Sequence, residues 1–202
     1  GGRMICTRYG TMAPYTLGTQ YHISVTFKTN ADGSTAVRWM RRNAATGALE
    51  KSGSALIAGW SLADLPSPQL FLGHSQYYPG NYDANAEYDE VRIWHGVVSD
   101  TDLNASAALG PDVMPSNAAA DVVYQPQASY DDELKANNYL LHRWNFNCNA
   151  RDSVGESDAL FHGNVAYSGN TSVSLSGGTF GASWIVLGAN AIPAAAGDAP
   201  FT

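Results

Sequence analysis

An all-β protein is predicted from three features of the chain. Charged residues make up only 14% of the sequence, while it holds 20 glycines and 11 tyrosines. β-Branched and aromatic residues gather in short alternating runs, which suits strands better than helices. Clusters of Gly, Asn, Asp and Ser separate those runs, as turns do. At 202 residues the chain has room for a real core, as one β-sandwich or as parts of two domains.

In chain order, Met4 to Arg8 is the first strand candidate. Gln20 to Lys28 alternates through Tyr21, Ile23, Val25 and Phe27. The turn cluster Asn30-Ala31-Asp32-Gly33-Ser34 follows, and Thr35 to Met40 returns as the second arm of an antiparallel hairpin. Asn43 to Gly47 is another turn before Leu49, and Ser61 to Pro66 is a loop or helical turn ended by proline. Gln69 to Gly73 reads as a short buried strand, and His74 to Ala86, rich in Tyr, Asn and Asp, as an exposed loop.

Glu87 to His95 reads as one half-buried strand, with Tyr88, Val91, Ile93 and Trp94 set among charges. Ser99 with Asp102 three positions on is a capping-box variant that predicts a short helical turn. From Leu109 to about residue 138 the composition shifts to Ala, Pro, Asp and Gln, a linker with one helical turn at Asp131 to Lys135. Strands are then expected at Leu140 to Phe146, Ala159 to Tyr167, Ser172 to Leu175 and Trp184 to Leu187, with Asn147 to Ser157 a loop and Ser176-Gly177-Gly178 a turn. All five tryptophans are expected in the core.

The run Asp89-Glu90-Val91-Arg92-Ile93-Trp94, a polar turn, and Ser99-Asp100-Thr101-Asp102-Leu103 resembles the closing segment of laminin-G-like domains, of the concanavalin A-like lectin/glucanase superfamily. Leu141-His142-Arg143-Trp144-Asn145-Phe146-Asn147, Asp152-Ser153-Val154-Gly155 and Gly163-Asn164-Val165 resemble the opening segment. Tyr21 to Phe27 is similar to the family's hairpin strand, and Gln69 to Gly73 to its L-x-L-G element. The order is inverted: residues 1–110 would be a closing half, 111–138 a linker and 139–202 an opening half. This resemblance implies an antiparallel jelly-roll β-sandwich, permuted or completed by a neighbouring chain, in which Leu140 to Phe146 pairs with Glu87 to Trp94. Family strands missing between the two halves would leave edges for a neighbour to cover. Two half-domains in two different sandwiches are the other arrangement.

A net charge of −7 and a pI near 5.0 exclude the basic footprint of a nucleic-acid binder. The cluster Arg38, Arg41 and Arg42 is expected at a strand end or turn. No apolar run approaches the ~20 residues that insertion into a membrane needs. The chain starts without an initiator Met and stops abruptly at Phe201-Thr202, so it reads as a piece of something longer. Cys6 and Cys148 leave two readings, one bridge between the halves or two buried free thiols. None of the five histidines has metal-ligand spacing.

Glu87, Asp89 and Glu90 depart from the E-x-D-x-E pattern of laminarinase-type glucanases, whose carboxylates stand about 5 to 5.5 Å apart. The third acid is adjacent to the Asp, so alternation would send it to the other face, and no enzyme is expected. The resemblance makes Asp89 a structural acid partnered by Arg92, and implies calcium coordination with Asp89, Asp152 and Asp83 as the positions for it. Tyr77, Tyr78, Asn81 and Tyr82 suit a protein contact or a sugar platform, with contact preferred. Asn104 and Asn170 head N-glycosylation acceptors if the chain is secreted by a eukaryote. The expectation is therefore a non-catalytic, extracellular or cell-surface laminin-G-like module. It would be a structural or adhesive building block of a surface fibre or tandem array, partnered by neighbouring copies or domains of the same protein. The alternative is a carbohydrate-binding lectin module that takes glycans, with calcium.

Overall fold

The computed structural model describes residues 15–60, 64, 69–74, 82–113, 139–188 and 191–192. The elements are β1 (Tyr21–Thr29), β2 (Thr35–Asn43), β3 (Leu49–Ile57), β4 (Leu70–Leu72), β5 (Asp83–Tyr88), β6 (Val91–His95), α1 (Asp100–Leu109), β7 (Tyr139–Trp144), β8 (Leu160–Gly163), β9 (Val165–Ser168), β10 (Ser172–Gly178) and β11 (Ser183–Leu187). Every strand pairing is antiparallel, and the protein is all-β with one helix among the described residues.

β1 and β2 form the hairpin that the turn chemistry predicts, in register from Tyr21 opposite Asn43 to Thr29 opposite Thr35. Asp32 builds the turn by accepting the Ser34 N–H at 2.9 Å and the Ser34 hydroxyl at 2.6 Å, with Gly33 at φ 75° supplying the left-handed residue. The sheet then gains β3, which sequence reasoning misses because LEKSGSALI has neither strict alternation nor β-branched weight. Arg38 lies inside β2, while Arg41 and Arg42 stand near its end, beside a bulge. Arg41 is only 3% exposed; it pairs with Glu50 at 3.2 Å and lies over the rings of Tyr15 and Tyr21.

Three further sheets run β5–β10–β9, β4–β11–β8 and β6–β7. Each joins strands from before residue 110 to strands from after residue 138. The pairing of Val91 with Trp144 and Ile93 with His142 joins the strands expected at Glu87 to Trp94 and Leu140 to Phe146. Ile93, Trp144, Phe146, Val173, Leu175, Ile185 and Leu187 make the main core. Each such fully buried side chain contributes about 1.5 to 3 kcal/mol. A second cluster, Met40, Trp94, Val98, Leu103 and Leu140, seats α1 and β2 against β6–β7. Ser99 caps α1: its Oγ accepts the Asp102 N–H at 3.2 Å and donates to the Asp102 carboxylate at 2.7 Å.

Several expectations are corrected. The strand over Glu87 to His95 is two strands, broken at Asp89-Glu90, where Glu90 sits at φ 82°. Arg92 Nε donates to the Glu90 carboxylate, and Arg143 Nη2 donates to it at 2.7 Å; the partner of Arg92 is thus Glu90, not Asp89. Arg92 also reaches Ser106 Oγ at 2.7 Å and the carbonyls of Pro111 and Val113 at 2.7 and 2.8 Å, tying β6 to both ends of the turn after α1. Part of the expected loop, Asp83 to Ala86, is strand β5, because β10 offers its backbone as a partner. Ala159 to Tyr167 divides into β8 and β9 after Gly163 at φ 69°, and Ser176 to Gly178 finishes β10 where a turn is expected. Trp60, Trp94 and Trp144 are buried, but Trp39 and Trp184 are half-buried. Met4 to Arg8 and the turn at Asp131 to Lys135 fall outside the described residues.

Candidate functional site

The expected ligand loop starts and ends on a clamp. His74 Nδ1 lies 2.7 Å from Asp83 Oδ1, Asp83 Oδ2 accepts the Ser183 N–H at 2.9 Å, and Ala84 N–H donates to the Gly73 carbonyl at 2.8 Å. These contacts lock β4, β5 and β11 to one another. Burial pushes the Asp83 carboxyl up, but the bonds from His74 and from backbone N–H groups outweigh it and hold the group below its usual range. Tyr82, beside the clamp, is 77% exposed. Tyr77, Tyr78 and Asn81 lie outside the described residues.

Next to the clamp, the outer face of β4–β11–β8 carries an aromatic stack that sequence reasoning misses. The Trp184 indole lies between the imidazoles of His74 and His162, at centroid distances of 4.9 and 4.7 Å. Phe180 touches His74 from another side at 4.5 Å. Leu160 and Phe180 extend the face into solvent. Sequence carries one usable signal, the alternation of Trp184 and Val186 with the fully buried Ile185 and Leu187. Both ring faces of Trp184 are taken, so it cannot lie flat on a pyranose.

No family model, curated protein or solved structure matches this chain.

Asp152 anchors the loop after β7. Its carboxylate accepts N–H groups of Arg143, Val154, Gly155 and Ser157 at 2.9 to 3.2 Å and lies 2.5 Å from His142 Nδ1. Burial raises its pKa, yet the His142 and backbone bonds win and lower it overall. Among the described residues, no group of three His, Cys, Asp or Glu side chains is arranged to hold a metal ion. Asp83 and Asp152 spend their oxygens on N–H donors that a cation would have to displace, so they do not fit the calcium cage that the resemblance implies. Glu87 accepts from the Ser172 hydroxyl and Glu90 is held by two arginines, so the E-x-D-E acids are tied down separately.

Asp89 differs from these. One of its carboxylate oxygens is buried without a hydrogen-bond partner. Burial first, then the charges of Asp112, Glu90 and Glu87, push its carboxyl up to about 6. A raised acid makes the native state hold a proton that the unfolded chain releases, so stability falls as pH climbs from about 4 to about 6 and stays lower above that. Asp89→Asn is expected to raise the Tm at pH 7.5 by about 2 to 4 °C, the equivalent of ~1 kcal/mol, and to leave it unchanged at pH 4. An equal gain at both pH values, read by calorimetry, would contradict this assignment.

Cys148 is an exposed free thiol, not a buried one. Its Sγ approaches Asn170 Oδ1 at 3.3 Å. The other cysteine, Cys6, lies outside the described residues. Asn170 is exposed in the β9–β10 turn; Asn104 is exposed on α1, but Ser106 of its acceptor sequence is buried against Arg92. No helix among the described residues is long and apolar enough to cross a membrane.

The hairpin sheet offers the other candidate surface. On its outer strands Ile23, Val25, Leu49 and Leu56 are 54%, 39%, 48% and 67% exposed. On β1 Ile23 and Val25 face water while Thr26, on the other side, is buried and Tyr21 and Phe27 are half-buried; Leu49 and Leu56 pair with Arg42 and Ala36, on the face opposite Ile23 and Val25. Trp39 lies between Val25 and Gly53 in the same rung, and its ring crosses β3 where Gly53 has no side chain: a Cβ there would stand 2.7 Å from Trp39 Nε1.

Proposed function

We propose that this chain is a non-catalytic, extracellular laminin-G-like module, a permuted jelly-roll sandwich that serves as a structural or adhesive building block by binding other polypeptide through its hairpin sheet. The antiparallel pairing of β6 with β7 supports the laminin-G-like reading, since those strands carry the closing and opening segments. One observation carries the contact reading: Ile23 and Val25, neighbours on one face of β1, stand in solvent. A half-buried strand in a monomer turns its apolar set inward, and clustered exposed aliphatics mark contact surfaces. β3, nine residues long and exposed along most of its length, adds an outer strand of the kind that accepts a further one. The lectin reading keeps a foothold in Tyr82, but the covered faces of Trp184 remove the strongest stacking platform from it.

Sedimentation velocity across a wide concentration range tests the proposal. The chain is expected to associate as concentration rises, and Ile23→Lys with Val25→Lys to remain monomeric with an unchanged circular dichroism spectrum. Wild-type protein that stays monomeric throughout, or variants that associate equally well, would sink it.

A further inference from the structure

The hairpin sheet is seated on the rest of the fold along one seam. Its inner face carries His22 and Thr26 on β1 and Arg38, Met40 and Arg42 on β2. In the middle of the seam Met40 packs with Trp94 of β6, Leu140 of β7 and Leu103 of α1. At one end Arg38 pairs with Asp100 at the start of α1. The other end has no such match. There His22 stands opposite Arg42 in the ladder, and Arg92, two residues before Trp94 on the same side of β6, lies close enough to act on the imidazole.

The charges acting on His22 among the described residues are both positive, Arg92 and Arg42. One Arg42 guanidinium nitrogen donates to the Gly47 carbonyl at 3.2 Å, and Arg42 Nε is buried without an acceptor. Beyond Arg42 in the same rung, β3 presents uncharged Leu49, while Glu50 is engaged by Arg41. On the facing sheet the carboxylate that serves Arg92, Glu90, is shared with Arg143, which stands opposite Arg92 in β7.

We propose that His22 is an acid-sensitive latch: when its imidazole takes up a proton, three cations crowd one end of the seam and the hairpin sheet lifts from β6, β7 and α1 there. The latch acts on the inner face of the sheet, opposite Ile23 and Val25, and does not depend on the contact reading above. The neutral imidazole is the form that fits the closed seam. Burial first, then the charges of Arg92 and Arg42, hold the group below its ordinary value of 6.5. The closed seam therefore binds the proton less readily than the open one. Its stabilisation is fully present above 6.5 and is lost as pH falls from there toward the lower folded value. Opening uncovers Met40, Trp94 and Leu140, an apolar surface that is buried when the seam is closed. Asp89 changes stability in the opposite sense over part of this range, but two proteins that differ only at residue 22 share its contribution.

Hydrogen exchange of the whole chain at pH 7.5 and pH 5, corrected for the intrinsic chemical rate, tests the latch. On acidification, peptides from β1, β2 and α1 are expected to lose protection severalfold, while β10 and β11, which line the main core, keep theirs. In His22→Gln, whose amide is neutral at both pH values, the seam is expected to be as protected at pH 5 as at pH 7.5. Acid loss of equal size in wild type and His22→Gln overturns the inference, and so does a wild-type seam that keeps its protection at pH 5. Should His22→Gln be unfolded at pH 7.5, Arg42→Gln takes its place. Removing one of the two cations is expected to shrink the acid loss and to move the His22 titration, followed by NMR, upward toward its ordinary value. An Arg42→Gln protein with the wild-type titration and the wild-type loss overturns the latch as well.

Discussion

Asp152→Ala is expected to destabilise the protein by about 3 to 5 kcal/mol, since several buried donors, each costing about 1 to 3 kcal/mol when stranded, lose their shared acceptor. Four backbone N–H groups and His142 converge on this one carboxylate, and the loop they form leads to Ser157, whose carbonyl accepts the Trp144 indole N–H at 2.7 Å. Trp144 is fully buried, so the loop and the core would loosen together. Asp152→Asn keeps one acceptor oxygen and should recover part of the loss. The sign of the pH dependence follows from the lowered pKa. Its stabilisation is present above the usual carboxylate pKa and is lost as pH falls through the lower folded value, so wild type and Asp152→Asn should converge in stability in acid. Urea unfolding at pH 7 and at low pH measures this; a constant gap between the two proteins would contradict it.

Glu90→Gln is expected to cost about 3 kcal/mol or more, because it leaves Arg92 and Arg143 side by side without their shared counter-charge. Arg92 also holds the residues that follow α1, so the helix C-terminus should lose protection from hydrogen exchange before the main core does. Glu90→Gly separates charge from backbone. Glycine accepts φ 82° without a Cβ penalty, so this variant should still be strongly destabilised if the ion pairs dominate. If it is instead as stable as the wild type, backbone strain at residue 90 outweighs the ionic contacts.

Much of the local architecture is legible without coordinates. The hairpin follows from an alternating run, an Asp-Gly-Ser turn and a second run. The helix start follows from Ser99 and Asp102, and the chemistry of both devices is complete within a few residues. The meeting of β6 with β7 is not legible locally, since nothing near residue 92 specifies a partner near residue 143. β3 was not legible at all, because a strand exposed along most of its length has no face to mark with periodicity.

The sequence by itself determined the β class, most strand positions and the caps, because turns and alternation act over distances of two to five residues. Only the tertiary structure decided which side of each strand is covered. Alternation at Tyr21, Ile23, Val25 and Phe27 says that one face of β1 is apolar, but whether that face meets a core depends on where other sheets lie. Tertiary contacts likewise broke the strand at Glu90, since the second arginine that holds its carboxylate lies 53 residues away. They also set His74 and His162 on the two sides of Trp184, across three separate strands and loops. Such contacts are fixed by packing and charge between distant segments, and no local pattern encodes them.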